Sequence, residues 1–463
     1  MFKSSMGGGV AARSPVYRHA LARVIMKVLG PLPVGGGWSM AALALAAVLM
    51  SLDAGPTLAQ RFESALMVLD RALPRRRRTG RTFQGFVKAL MQRSGTLMGV
   101  LIPRLREQTA RAAAGRWRVG GWVPIGVDGS RIDAPRTVAN EALGLAGKDK
   151  CGPQMLLLLL VHLGAMLPWG FKVGGARDAE RSLLRSVLDQ LPERTLLVMD
   201  AGFTGFDLLS ELRRRGVSFL VRVGKGVHLL TRLGAYRRQG DHTVYLWPDA
   251  KRDRPPLVLR LIRVGSAYLV TDITDPRKLP RSVASELYRR RWGVEVAFRS
   301  LKQTLERRKV RSCSPGRAWR EVEWSVAGMW TLMLAGASAL RAAGRPSRSL
   351  SVALALCSFR GAMHAGDAPG RGDAALQLRL RRCVQDNYRR KSPKASYRWP
   401  HKKHPQPPGA PRITPPPVRK SKRPGCLRLM NTVGSSRRWV APASSRCLPV
   451  LPTPATSSSS PWL

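Results

Sequence analysis

Hydrophobic residues recur at helical spacing through the first 118 or so positions. Phe83 to Met91 and Leu97 to Leu105 repeat at three- and four-residue intervals, and Trp38 to Leu52 is apolar almost throughout. That spacing predicts helices. From about residue 120 the period changes. Val123 to Val127 predicts a short strand ending at Asp128, and Met155 to Leu163 and Ala165 to Val173 predict two more strands joined near Gly164. The run Leu156 to Leu160 reads as a strand inside a sheet, because Pro and Gly bound it closely. Arg177 to Leu191 predicts an amphipathic helix, Leu196 to Met199 a buried strand ending at Asp200, and Gly205 to Arg215 a further helix. The sum is a mixed α/β layer around one sheet.

Residues of about 217 to 273 differ again. Phe219 to Val223, Thr243 to Trp247, Leu257 to Val264 and Ala267 to Thr271 predict successive short strands, a β-rich insertion before the chain returns to helix. Residues 320 to 364 predict two helices broken near Gly344–Pro346. Beyond about 390 the chain is rich in Pro, Lys, Arg and Ser, too polar to offset the entropy of ordering, and disorder is expected.

Charge narrows the partners. Among 463 residues, 79 are Lys or Arg and 28 Asp or Glu, a net charge of +51. Such an excess repels itself unless a polyanion neutralises it, so nucleic acid is the expected partner. The run Arg75 to Arg78 makes the helical N-terminal region a candidate DNA-binding module; a solvated loop between packing helices is the other reading. The six cysteines form no C-x-x-C pair, which argues against a zinc module or a disulfide framework and fits a reducing compartment. Trp38 to Leu52 follows Arg13, Arg18, Arg23 and Lys27, as in a secretory signal, but is short for a membrane span. A buried helix is the alternative.

The chemistry concentrates in YRRRWGVEVAFRSLK. At roughly 100° per residue, Arg291, Glu295 and Lys302 fall about 300°, 340° and 320° round from Tyr288, on one stripe about 60° wide. Leu287, Val294, Ala297, Leu301 and Leu305 form the neighbouring apolar face. A solvated charged edge, with Glu295 bridging Arg291 and Arg299, would give the same pattern. Trp292 borders this stripe, where core packing is its expected role.

Two further carboxylates end strands, Asp128 in IGVDGS and Asp200 in LLVMDAGF. Asp before Gly is also common turn chemistry. Carboxylates at strand ends of a layered sheet face the crevice where ligands bind. Two of them ~4 Å apart cost on the order of 4 kcal/mol at an effective dielectric of about 20, so bound cations would be needed. Oxygen-only ligands favour Mg2+ or Mn2+, and a pair of such ions suits in-line phosphodiester displacement.

These residues together resemble the DDE transposases of bacterial insertion sequences, of the family-four type with its Tyr-Arg-Glu-Lys signature. The resemblance rests on Asp128, Asp200 and Glu295 in order, on Tyr-x-x-Arg-x-x-x-Glu-x-x-x-x-x-x-Lys, and on DGS, DAGF, FLVRVGKG and LVTDI; it covers roughly residues 80 to 345. It implies an RNase H-like catalytic core, with a β-rich insertion at about 217–273, over residues 119–345. Residues 1–118 would be the helical N-terminal region, 346–390 a helical C-terminal region and 391–463 a disordered basic tail.

By the same resemblance, Asp128, Asp200 and Glu295 would coordinate two Mg2+ ions (or Mn2+) and catalyse cleavage and strand transfer in cut-and-paste transposition. Tyr288, Arg291 and Lys302 would contact the terminal phosphates, and Trp292 or Trp247 would receive an unstacked base. The implied partners are double-stranded DNA, as terminal inverted repeats and as target, and a second copy in a homodimer. No membrane is implied, and the implied location is the bacterial cytoplasm at the nucleoid. The final forty or so residues match nothing in such a protein. A catalytically decayed remnant, or a basic DNA-binding protein without activity, is therefore the alternative.

Overall fold

The computed structural model describes residues 17–32, 38–73, 82–145, 152–224, 234–235, 243–246, 257–365 and 372–386. Trp247, the run Arg75 to Arg78 and the tail after 390 lie outside the described residues.

Four helices come first: α1 (Ala20–Leu29), α2 (Met40–Leu52), α3 (Leu58–Ala72) and α4 (Phe83–Ala112). Phe83 to Met91 and Leu97 to Leu105 thus belong to one helix that carries Pro103 inside it. The apolar segment is α2, buried along all but its first residue. It packs beside α3 and the long α9 (Pro315–Ala342). A helix apolar all round has to lie inside a core. Among the described residues no helix is long and apolar enough to cross a membrane.

The C-terminal end of α2 is closed by a buried cation. Arg307 is 2% exposed, and its Nη2 donates to the carbonyls of Ser51 (2.9 Å) and Asp53 (2.8 Å). Those are the carbonyls a helix end leaves unpaired, at its negative pole. Burial pushes the Arg307 guanidinium down to about 9. Trp324 and Trp330 of α9 donate to Ser94 and Thr109 of α4, fastening the two longest helices together.

The strands form one sheet: β1 (Val123–Asp133), β2 (Gln154–His162), β3 (Leu167–Gly175), β4 (Thr195–Met199), β5 (Ser218–Val223), β6 (Gly234–Ala235), β7 (Thr243–Leu246), β8 (Leu257–Val264) and β9 (Ala267–Thr271). Their order is β3-β2-β1-β4-β5-β9-β8-β7-β6. β2 runs antiparallel to β1 and β3 antiparallel to β2, whereas β4 pairs parallel with β1 and β5 parallel with β4; β9, β8, β7 and β6 continue as an antiparallel meander.

The leucine run is explained by two-sided burial. Met155, Leu157, Leu159 and Val161 face the core shared with the helices above, and Leu156, Leu158 and Leu160 face the opposite core. A strand covered on both faces has no polar side to alternate with. On the second face lie α5 (Glu180–Arg185) and α6 (Phe206–Arg214).

Two expected boundaries are corrected. β1 does not stop at Asp128: antiparallel pairing with β2 carries it on to Asp133, while parallel pairing with β4 ends at Gly126. The helix expected over 177–191 is only α5 and a 3-10 turn, Leu188–Gln190. Asp178 accepts from the Gly175 amide at 2.8 Å, holding that chain in a turn until Glu180.

At the β2–β3 turn, His162 is buried against Trp117. Its Nδ1 accepts from the Ala165 amide (3.1 Å), its Nε2 lies 3.0 Å from the Trp117 carbonyl, and the rings stack at 4.7 Å. Burial lowers the imidazole to about 4. Because the folded value lies below the unfolded one, the unfolded chain binds the extra proton; stability present above about pH 6.5 is lost as pH falls towards 4. We expect this residue to contribute a loss of about 3 kcal/mol across that window. Urea unfolding of the wild type minus that of His162→Gln, from pH 7 to 4, measures it; parallel curves would contradict the assignment.

A cluster of carboxylates around Arg291

Where parallel pairing of β1 with β4 ends, two carboxylates follow. Asp128 lies two residues beyond the last β1–β4 pair, and Asp200 comes immediately after the last residue of β4. Both acids therefore sit at the same end of the parallel ladder. Alternation along β1 puts Asp128 on the same face as Gly126.

That face is covered by α8 (Trp292–Arg299), which comes directly after α7 (Arg281–Arg290). A Cβ built on Gly126 would stand 2.7 Å from Leu163 Cδ2 and 2.8 Å from Val294 Cγ2. Only glycine lets α8 approach β1 this closely. Val294 precedes Glu295, so the same contact carries Glu295 towards Asp128.

The expected single helix is stepped. At Arg291, between α7 and α8, the Val294 amide bonds the Arg291 carbonyl three residues back (2.9 Å). At Ser300–Thr304 the chain widens into a π turn, closed by the Leu305 amide on the Ser300 carbonyl. Such single-turn insertions rotate the downstream residues relative to the upstream helix.

The four residues of the stripe accordingly reach different partners. Arg291, 8% exposed, donates from Nη2 to Glu295 Oε1 at 2.9 Å, and its Nη1 stands 3.9 Å from Asp128 Oδ2. The guanidinium also lies 5.7 Å from the Tyr288 ring centre. Tyr288 donates its hydroxyl to Asp200 Oδ1 at 3.4 Å, and Arg222 Nη1 approaches the same oxygen at 4.0 Å. Lys302 points elsewhere. Its Nζ donates to Ser130 Oγ (2.7 Å) and to the Arg131 carbonyl (2.6 Å), two and three residues beyond Asp128 on β1.

Trp292 is 54% exposed, so the core packing expected for it fails. It stands about 200° round the helix from Val294, which takes the core position. With Arg289, Arg290 and Arg348 it lines a cavity of about 520 Å3. Sequence reasoning missed Glu180, the first residue of α5, whose carboxylate lies against Gly129; no motif marked it.

Electrostatics reflect the geometry. Burial raises Asp128 to about 6; the neighbouring charges of Glu180 and Asp200 add to the rise, while the Gly129 amide and Arg291 oppose it. Burial alone would lower the Arg291 guanidinium, but Asp200, Tyr288, Glu295 and Asp128 together raise it. Burial lowers the Lys302 ammonium.

The donors are all oxygen, a set that fits a hard divalent cation. Among the described residues no three His, Cys, Asp or Glu side chains are grouped as a ready metal site. In this structure the cation that Asp128 and Glu295 share is Arg291.

Two outcomes are expected. Gly126→Ala should cost about 1–3 kcal/mol by overpacking against Leu163 and Val294, read as a shifted denaturation midpoint. Arg291→Met should move the Asp128 titration above its value of about 6, measured by carboxyl carbon NMR. An unmoved titration would remove Arg291 as its counter-ion.

Comparison with known proteins agrees with the sequence resemblance. Residues 125–330 match the family model described as the transposase DDE domain. Over 226 residues the chain is 26% identical to the transposase InsG for insertion sequence element IS4 of Escherichia coli (strain K12). That alignment covers 44% of this chain and 50% of the relative, so the chain spans about half the length of the curated relative it matches. Among solved structures, a piggyBac transposase synaptic complex with hairpin DNA aligns at a TM-score of 0.34 and 10% identity, over 82% of this chain and 78% of that one. Asp128, Asp200 and Glu295 all lie within the residues that match the transposase DDE domain, and the chain is similar to the IS4 transposase.

Proposed function

We propose that this chain is a DNA transposase that cuts at the ends of its element and joins the freed ends to target DNA. The observation that carries this is the convergence of Asp128, Glu295 and, through Tyr288, Asp200 on one buried guanidinium. They come from three separate elements spread over more than 160 residues of chain. A surface salt bridge needs no such assembly. The order β3-β2-β1-β4-β5, with three antiparallel strands and then two parallel to the first, supports an RNase H-like core. The meander of β8 and β9 supports a β insertion between Asp200 and Glu295.

Asp128, Asp200 and Glu295 are the residues that would hold divalent cations. Bound there, Mg2+ or Mn2+ would activate a water or a 3′-hydroxyl and stabilise the leaving oxygen of the phosphodiester. The chain's own side chains supply the rest. Arg291, displaced from the carboxylates, offers its planar fork to a phosphate, and Lys302 leaves Ser130 to act as a point charge. Tyr288 fixes the Asp200 carboxylate by its hydroxyl. Exposed Trp292, flanked by Arg289 and Arg290, offers a face on which an unstacked base can rest. Work on two ends at once requires a pair of protomers on paired terminal repeats.

Cleavage of DNA carrying the element's own terminal repeats, with Mg2+, tests the reading. Asp128→Ala, Asp200→Ala and Glu295→Ala should each abolish cleavage and leave DNA binding intact; surviving cleavage removes that residue from the site. Arg291→Ala or Lys302→Ala should weaken end binding and reduce its salt dependence by about one unit of slope per lost phosphate contact. Binding without cleavage in the unaltered chain would favour the decayed-remnant alternative.

A further inference from the structure

We infer that Glu180 is a fourth carboxylate of this site, a supporting residue that strengthens divalent-cation binding by Asp128 and Asp200 through its charge. The inference rests on the proposed function for the existence of cation binding.

Its placement is specific. A Cβ built on Gly129 would fall 2.3 Å from Glu180 Oε1 and 2.6 Å from its Cδ and Cγ. A Cβ on Gly202 would stand 3.8 Å from Oε2. Gly129 is the residue after Asp128, and Gly202 comes two residues after Asp200. One carboxylate thus lies against both segments that carry the acids, and the glycine in DGS leaves the space it fills. The turn at Asp178 sets where α5 begins and so brings Glu180 to this place. Arg181, the next residue, donates from Nε to the Gly202 carbonyl at 2.8 Å and pins α5 to the loop after Asp200.

The charge is not consumed locally. Among the described residues, Glu180 has no hydrogen bond or ion pair, although Arg131 and Arg181 are close enough to act on it electrostatically. It acts on Asp128 and Asp200 as a like charge. A half-buried carboxylate against the segments that carry two others destabilises the cation-free state and stabilises a bound dication, whose double charge outweighs the repulsion.

Mn2+ binding measured by electron paramagnetic resonance, without DNA, gives a readout independent of activity. Glu180→Gln keeps the shape and removes the charge; its Mn2+ affinity should fall about five- to tenfold, the effect of one screened unit charge. Glu180→Asp keeps the charge and should stay within about twofold of wild type. Gly129→Ala, which drives the carboxylate from its seat, should weaken binding with the charge still present. Thermal unfolding midpoints close to wild type exclude a general loss of structure. Equal Mn2+ affinity in wild type and Glu180→Gln overturns the inference. If the wild type binds no Mn2+, or Asp128→Ala binds as well as wild type, the proposed function itself fails.

Discussion

The site is organised by one buried positive charge. Arg291 lies within reach of Asp128 and Glu295, under the Tyr288 ring, and its guanidinium gains from Asp200 as well. Carboxylates from a strand, a strand end and a helix would repel one another if gathered with nothing between them. A cation on the chain itself makes the gathering tolerable. Among the described residues the Arg291 Nε has no hydrogen-bond partner, so even this charge is incompletely satisfied.

The remainder of the fold keeps that arrangement in register. The sheet is buried on both faces, so β1 and β4 lie between two apolar cores. Gly126 lets Val294 seat on β1 and so sets the height of Glu295 along the strand. Lys302, through Ser130 and Arg131, holds the far end of the same strand. α8 packs on β1 and β2, and α9 packs against the π turn that follows α8. Arg307 joins α2 to the chain just after the π turn.

Much of this was legible along the chain because burial leaves a period. Strands β8 and β9 run over the same residues that the apolar runs predicted, and α2 was visible as a segment with no polar face. Trp292 was less legible: its place depends on the step at Arg291, which no periodicity records. The 177–191 helix failed because the Asp178 turn, a side chain accepting from a backbone amide, outweighed helical spacing. Glu180 left no trace at all, since an isolated Glu at a helix start reads like any other.

The sequence alone marked Asp128, Asp200 and Glu295 with Tyr288, Arg291 and Lys302, because acids at strand ends and charges on one helical stripe stand out against the apolar period around them. It also determined the alternation of strand and helix, because hydrophobic burial is written at the period of each element. Tertiary structure decided which charges meet. Asp128 and Glu295 stand on either side of Arg291 because a glycine admits a valine, Lys302 turns to β1 because a π turn rotates it away, and Glu180 reaches Gly129 because a short turn aims it there. Such contacts depend on distances of a few tenths of an ångström between elements far apart in the chain, and no local pattern encodes them.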